Sequence, residues 1–213
     1  MQGRFTLATL SAELSAEFSL FRHDDILRKY LNGRASKGYE PVDPDPDAAY
    51  DEVIRIDISK IEPLVVLPHK VAHNATEANL LAETKIDQAF IGSCANGRIE
   101  DFEVAAEIMS GRQVAPGVRM IVTPGSQKVL QEALAKGYVE TLMSAGVVVT
   151  NSTCGACYGG HMGVLGDGEV CITASTRNFQ GRMGSSEAEI YLGSPATVAA
   201  SAVRGFITDP RDL

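Results

Sequence analysis

From residue 85 to the end of the chain, short apolar runs alternate with amphipathic stretches, and only turn-length segments separate them. That rhythm predicts strands at Lys85–Ile91, Val118–Val122, Gly146–Thr150, Glu169–Thr173 and Glu189–Leu192. Between and after them it predicts helices at Glu100–Met109, Ser126–Ala135 and from Pro195 to a stop at Gly205. Phe102, Ala105, Ala106 and Met109 share one face of the first helix, while Ser126 and Ser194 supply the caps of the other two. Strands joined through helices by short connections read as an α/β domain, a three-layer α/β/α, doubly wound and mostly parallel sheet covered on both faces. In such sheets ligands sit where loops leave the carboxyl ends of the strands. The loops 92–98 and 151–163 both leave strands at that end, and both carry cysteine.

The first part of the chain reads differently. Residues 3–21 space Leu7, Leu10, Leu14, Phe18 and Phe21 as one helix, and a second helix is expected at about 24–32, stopping at Asn32-Gly33. Residues 38–50 are rich in proline and aspartate, a surface connection. VIRIDIS (53–59) alternates like a strand, and the proline-interrupted run 61–78 is expected to wrap over a surface. These features set residues 1–84 apart from a domain at 85–213.

Composition narrows the function classes. Apolar residues make up 45% and charged residues 22% of 213, with a formal net charge of −8 and scattered basic residues. A clustered positive face for nucleic acid is not expected, whereas an anionic small molecule needs only a few placed arginines. The first eighteen residues lack the basic and apolar regions of a secretory signal, and no run approaches the roughly 18–20 apolar residues of a membrane span. The chain therefore reads as cytoplasmic. Four cysteines in such a chain point to metal or redox chemistry rather than a disulfide framework.

Cys154 and Cys157 form a C-x-x-C pair inside NSTCGACYGG, where two thiolates can face one metal centre and glycines let the backbone come close. With Cys94 they can hold a 4Fe–4S cubane with one iron left open as a Lewis acid. The same spacing also suits a zinc half-site or a redox pair. A thioredoxin-like pair opens a helix, however, and this one sits in a glycine-rich loop. Cys171, between Val170 and Ile172, reads as a core thiol. Arg177 and Arg182 flank a turn and can clamp carboxylates. His161 is expected to hydrogen-bond the cysteine loop, while His23, His69 and His73 form no recognisable arrangement. Glu13 stands among alanine and leucine on the first helix.

Together the stretches FIGSCANGRIEDF (90–102), VAPGVRMIVTPGSQKV (114–129), CGACYGGHMGVL (154–165), TRNFQGRMGS (176–185) and YLGSPATVAASAVRGFITDP (191–210) resemble the aconitase superfamily. The closest likeness is to its isopropylmalate dehydratase and homoaconitase large subunits. Thr6–Glu13 resembles that family's T-I-x-N-M-x-A-E helix. The resemblance implies that Cys94, Cys154 and Cys157 ligate a 4Fe–4S cluster and that Arg177 and Arg182 contact substrate carboxylates. It places Glu13 near the open iron. The implied reaction is dehydration and rehydration of a hydroxy acid, such as the 2- to 3-isopropylmalate step of leucine biosynthesis. Homoaconitase, dimethylmalate-type dehydratase and a non-catalytic metal module share these motifs. The family's large subunits are about twice this length, so the resemblance also implies a missing N-terminal half that supplies histidine and aspartate. A small subunit with a swivelling domain supplies the serine base, and no turnover is expected from this chain alone. Three positions depart from the family pattern: Ala95 within S-C-T-N, Thr176 before the R-N-F arginine, and Thr9 in the T-I-x-N helix.

Overall fold

The computed structural model describes all residues, Met1–Leu213. It divides into two compact units, Met1–Ile61 and Glu62–Leu213.

In the first unit, helix α1 (Gln2–Leu10) runs into a 3-10 turn, Ser11–Leu14, and stops there. The helix expected over 3–21 is thus shorter. Thr9 and Ser11 return their hydroxyls to the carbonyls of Phe5 (2.8 Å) and Ala8 (2.8 Å), and Ser15 takes a left-handed conformation (φ 60°). Such back-bonding competes with helix propagation, and a left-handed residue ends it. Helix α2 (Asp25–Leu31) is capped by Asp24, which accepts from Leu27 N at 3.0 Å. Arg4 reaches the same carboxylate with both terminal nitrogens, pinning α1 to the start of α2. VIRIDIS forms no strand. It takes no regular structure until Asp57 starts a 3-10 turn (Ile58–Lys60) by accepting from Ser59 N and Oγ. Alternation gives a strand two faces but no ladder partner, and Ile54 and Ile58 stay 71% and 81% exposed. No residue of 1–61 is buried.

The second unit is a seven-stranded sheet. Its strands are β1 (Leu64–Val66), β2 (Ala75–Glu77), β3 (Gln88–Ile91), β4 (Arg119–Val122), β5 (Val148–Val149), β6 (Val170–Thr173) and β7 (Glu189–Leu192), in the order β2-β1-β7-β6-β3-β4-β5. The five strands from β3 to β7 run parallel, while β1 and β2 form an antiparallel hairpin that joins β7 through Val66 and Leu192. The run 61–78, expected only to wrap a surface, therefore carries two strands. Its prolines fall at the ends of β1, where a missing N–H is tolerated. Asn74 Nδ2 closes the hairpin loop by donating to the carbonyls of Leu67 (2.8 Å) and Lys70 (3.0 Å).

Side chains alternate across the parallel strands. Ala89, Ile91, Met120, Val122, Ile172 and Tyr191 face one core, whereas Phe90, Ile121, Cys171, Ile190 and Leu192 face another. The first core is closed by the apolar faces of α4 (Ile99–Met109), α6 (Tyr138–Ser144) and α7 (Pro195–Arg204), joined by α5 (Gln127–Ala135). Phe102 and Met109 of α4 are fully buried in it, each side chain contributing about 1.5–3 kcal/mol by burial. The expected caps are in place: Ser126 accepts from Val129 N (3.2 Å) and Ser194 from Thr197 N (3.1 Å). Helix α6 is an element the sequence pattern did not show, because only Val139 and Leu142 mark its buried face.

The second core has no helical cover. Ala156, from a 3-10 turn, and Leu165, Met183 and Ala188, from irregular chain, seal it between β5 and β7. The chain moves outward from β3 through β4 to β5, then returns to β6 and β7 on the other side of β3. Parallel crossovers keep one hand, so reversing direction puts the return connections on the opposite face. The third layer, expected to be helical, is consequently built of loops, and they are the loops that carry the C-x-x-C pair and the arginines.

Candidate metal centre at the switch point

The direction change places the carboxyl ends of β3 and β6 side by side, the position at which open α/β sheets receive ligands. A one-turn helix, α3 (Ser93–Asn96), leaves β3 and carries the exposed Cys94. Its entry is bent: Gly92 has φ 153° and Ser93 φ 67°, a left-handed value that costs a non-glycine residue about 1 kcal/mol or more. The turn is tied at both ends. Asn96 Nδ2 donates to Ala174 O at the exit of β6 (2.5 Å), and Arg98 Nη2 donates to Cys94 O (2.7 Å).

The second cysteine loop leaves β5. Gly155 N donates to Thr153 Oγ1 (2.7 Å), and Cys157 N to Cys154 O (3.1 Å), which folds Gly155–Tyr158 into a 3-10 turn. Cys154 is exposed and Cys157 half-buried; both are free thiols, as is Cys94. The two loops meet on one residue. A Cβ at Gly92 would lie 2.6 Å from Thr123 O, one at Gly97 2.5 Å from the same oxygen, and one at Gly155 2.5 Å from Thr123 Oγ1. Glycine is therefore required at all three positions, because the backbone runs against β4's last turn with no room for a side chain.

Arg182 completes this corner. Its Nε donates to Cys157 O at 2.7 Å, its Nη2 lies 3.6 Å from Cys157 Sγ, and its guanidinium stacks 5.3 Å from the Phe179 ring centroid. Arg177 is half-buried on the same post-β6 segment, between the buried Thr176 and Asn178. Asn178 anchors that segment by donating to Leu67 O (2.7 Å) and Ile190 O (3.2 Å). Beside it, Ser175 Oγ is buried without a hydrogen-bond partner. Glu13 lies half-buried in the 3-10 turn of the first unit. His161 departs from expectation: it is exposed and makes no hydrogen bond, and Arg182 and Thr153 hold the loop instead. Cys171 is fully buried on β6, with its thiol pushed up to about 12, first by burial, although Gln88 Nε2 stands 3.8 Å away. It stays protonated at neutral pH. No three His, Cys, Asp or Glu side chains converge as closely as a single metal ion requires. Thr123 is what sequence reasoning missed; the only local signal was the PG that follows it.

Fold and site together define an α/β domain with free thiols on two glycine-lined loops at its switch point. The aconitase family (aconitate hydratase) matches over residues 1–79 and 67–205, and this chain belongs to that family. It is 57% identical over 213 residues to the 3-isopropylmalate dehydratase large subunit of Mycolicibacterium smegmatis, covering all of this chain and 50% of that one. The large subunit from Moorella thermoacetica is 47% identical with the same coverage. Large subunit 2 from Archaeoglobus fulgidus is 46% identical over all of this chain and 51% of its own length. The chain thus spans about half the length of the curated relatives it matches. No helix is long and apolar enough to cross a membrane.

Proposed function

We propose that Cys94, Cys154 and Cys157 hold a 4Fe–4S cluster and that the chain is the cluster-bearing part of a hydro-lyase large subunit acting on isopropylmalate. The observation that carries this reading is the convergence of two loops on Thr123, closed against it by glycines and bearing three free thiols. Three cysteine sulfurs form a soft donor set suited to iron–sulfur ligation. When bound, such a cluster supplies a Lewis-acidic iron with an open position.

The chain's own residues do the rest. Cys94 stands on a turn clamped by Asn96 and Arg98, so its backbone is held before any ligand arrives. Arg182 holds the Cys157 peptide and offers its remaining terminal nitrogen to a substrate carboxylate, and Arg177 takes a second carboxylate. Glu13 enters this reading only as the position at which the family pattern carries a catalytic carboxylate. Turnover then requires the other half of a large subunit and a small subunit, in the cytoplasm.

Anaerobic reconstitution with iron and sulfide tests the reading. About four irons and matching sulfide per chain, with broad visible absorption abolished in Cys154→Ser, is the expected result. Tightly bound zinc without sulfide would sink it, leaving a structural metal module.

A further inference from the structure

We infer that Thr123 and Thr150 form the tether that sets the two cysteine loops in register; Thr123 is a positioning residue for the metal centre, an inference that rests on the cluster reading. Thr123 is the residue just past β4, fully buried, with its side chain on the loop-covered face of the sheet. Its backbone serves the first loop: Thr123 N donates to Ile91 O at 2.9 Å, and its carbonyl is the atom against which Gly92 and Gly97 close. Its side chain serves the second. Oγ1 shares a 2.9 Å hydrogen bond with Thr150 Oγ1, and Thr150 Oγ1 lies 2.9 Å from Asn151 O, the first peptide of the cysteine loop. Gly155, between the two cysteines, runs directly over the same hydroxyl.

One residue therefore fixes Cys94 through its main chain and Cys154 and Cys157 through its hydroxyl. A cluster needs sulfurs at fixed separations, and two separately mobile loops would have to be ordered on loading. The hydroxyl pair does that ordering beforehand. A valine at either position fills the same volume but removes the bond.

The test uses the full chain as wild type, Thr123→Val, Thr150→Val and Thr123→Ser. In the metal-free protein, amide hydrogen exchange of residues 151–158 is expected to accelerate on the order of three- to tenfold in both valine variants, the range one hydrogen bond governs. Strands β3 and β6 should keep wild-type exchange, and Thr123→Ser should restore the loop. After iron and sulfide loading, the valine variants are expected to give up iron to a chelator several-fold faster, read by the decay of visible absorption. Wild-type loop exchange in Thr123→Val overturns the inference, as does acceleration spread evenly over the sheet. A wild type that takes up no iron and sulfide defeats the cluster reading instead, while the exchange comparison still decides the tether.

Discussion

Arg182 lies against Cys157 through two of its nitrogens, Nε on the carbonyl oxygen at 2.7 Å and Nη2 facing the sulfur at 3.6 Å. A guanidinium so placed holds the peptide and faces the sulfur at the same time, whereas an ammonium has no fork to do both. Arg182→Lys is expected to loosen the 154–158 turn and cost about 1 kcal/mol, since the group is half-exposed and a charged hydrogen bond is discounted accordingly. For a chain of this size that lowers the midpoint of thermal unfolding by about 2–4 °C, measurable by calorimetry. An unchanged midpoint would mean that the contact is not formed in solution.

Cys171 differs from the other three cysteines in being fully buried. Burial pushes it up to about 12, so at pH 8 it is neutral and unreactive, while Cys94 and Cys154 are exposed. A native thiol titration of the metal-free chain should count three reactive groups and find the fourth only after denaturation. Cys171→Ala should keep full iron and sulfide loading. The raised value also favours the fold only while the thiol is protonated in both states. Its contribution is whole below the unfolded value near 9 and declines as pH rises toward 12.

How much of this was legible in the sequence depends on how local each feature is. Strands β3, β4, β6 and β7, helices α4, α5 and α7, and the cysteine loops follow from periodicity, caps and glycine spacing within a dozen residues. VIRIDIS misled because alternation specifies faces and says nothing of a ladder partner. Thr123 could not be seen because its role arises from Gly92, Gly97, Thr150 and Gly155, which reach it only through the β3-β4-β5 pairing. The loop-built third layer was hidden likewise, since it follows from strand order rather than from any segment.

Gly97 offers a steric test of how tightly the first cysteine loop is seated. A Cβ there would lie 2.5 Å from Thr123 O and 2.7 Å from both Gly125 N and Ser93 O, all backbone atoms that cannot swing away. Gly97→Ala is therefore expected to cost about 1–3 kcal/mol, as overpacking does, and to lower iron retention with it. Gly166→Ala, whose Cβ would meet nothing nearer than 3.9 Å, is the control and should be within about 0.5 kcal/mol of wild type. Denaturant midpoints of the three chains make the comparison; equal midpoints would refute the close seating.

Asp101 gives the site's base a pH dependence whose sign can be worked out. Its carboxylate accepts from Arg98 N at 2.8 Å to cap α4, yet burial raises it to about 6 from an ordinary value of 3.8. The backbone donor at Arg98 pulls the other way but does not win. A carboxyl raised on folding favours the native state while it is protonated in both states, below about 3.8. That advantage is lost as pH rises to about 6, where the native state too gives up its proton. At pH 7.5 the buried charge costs about 2–3 kcal/mol relative to the protonated form. Asp101→Asn keeps an acceptor for Arg98 N without the charge, so it should be more stable than wild type at pH 7.5 and converge with it below about pH 4. Urea unfolding at the two pH values decides, and because Arg98 also holds Cys94 O, the variant should keep its iron at neutral pH. A variant less stable than wild type at pH 7.5 would mean that the charge on Asp101 stabilises the cap by more than its desolvation costs.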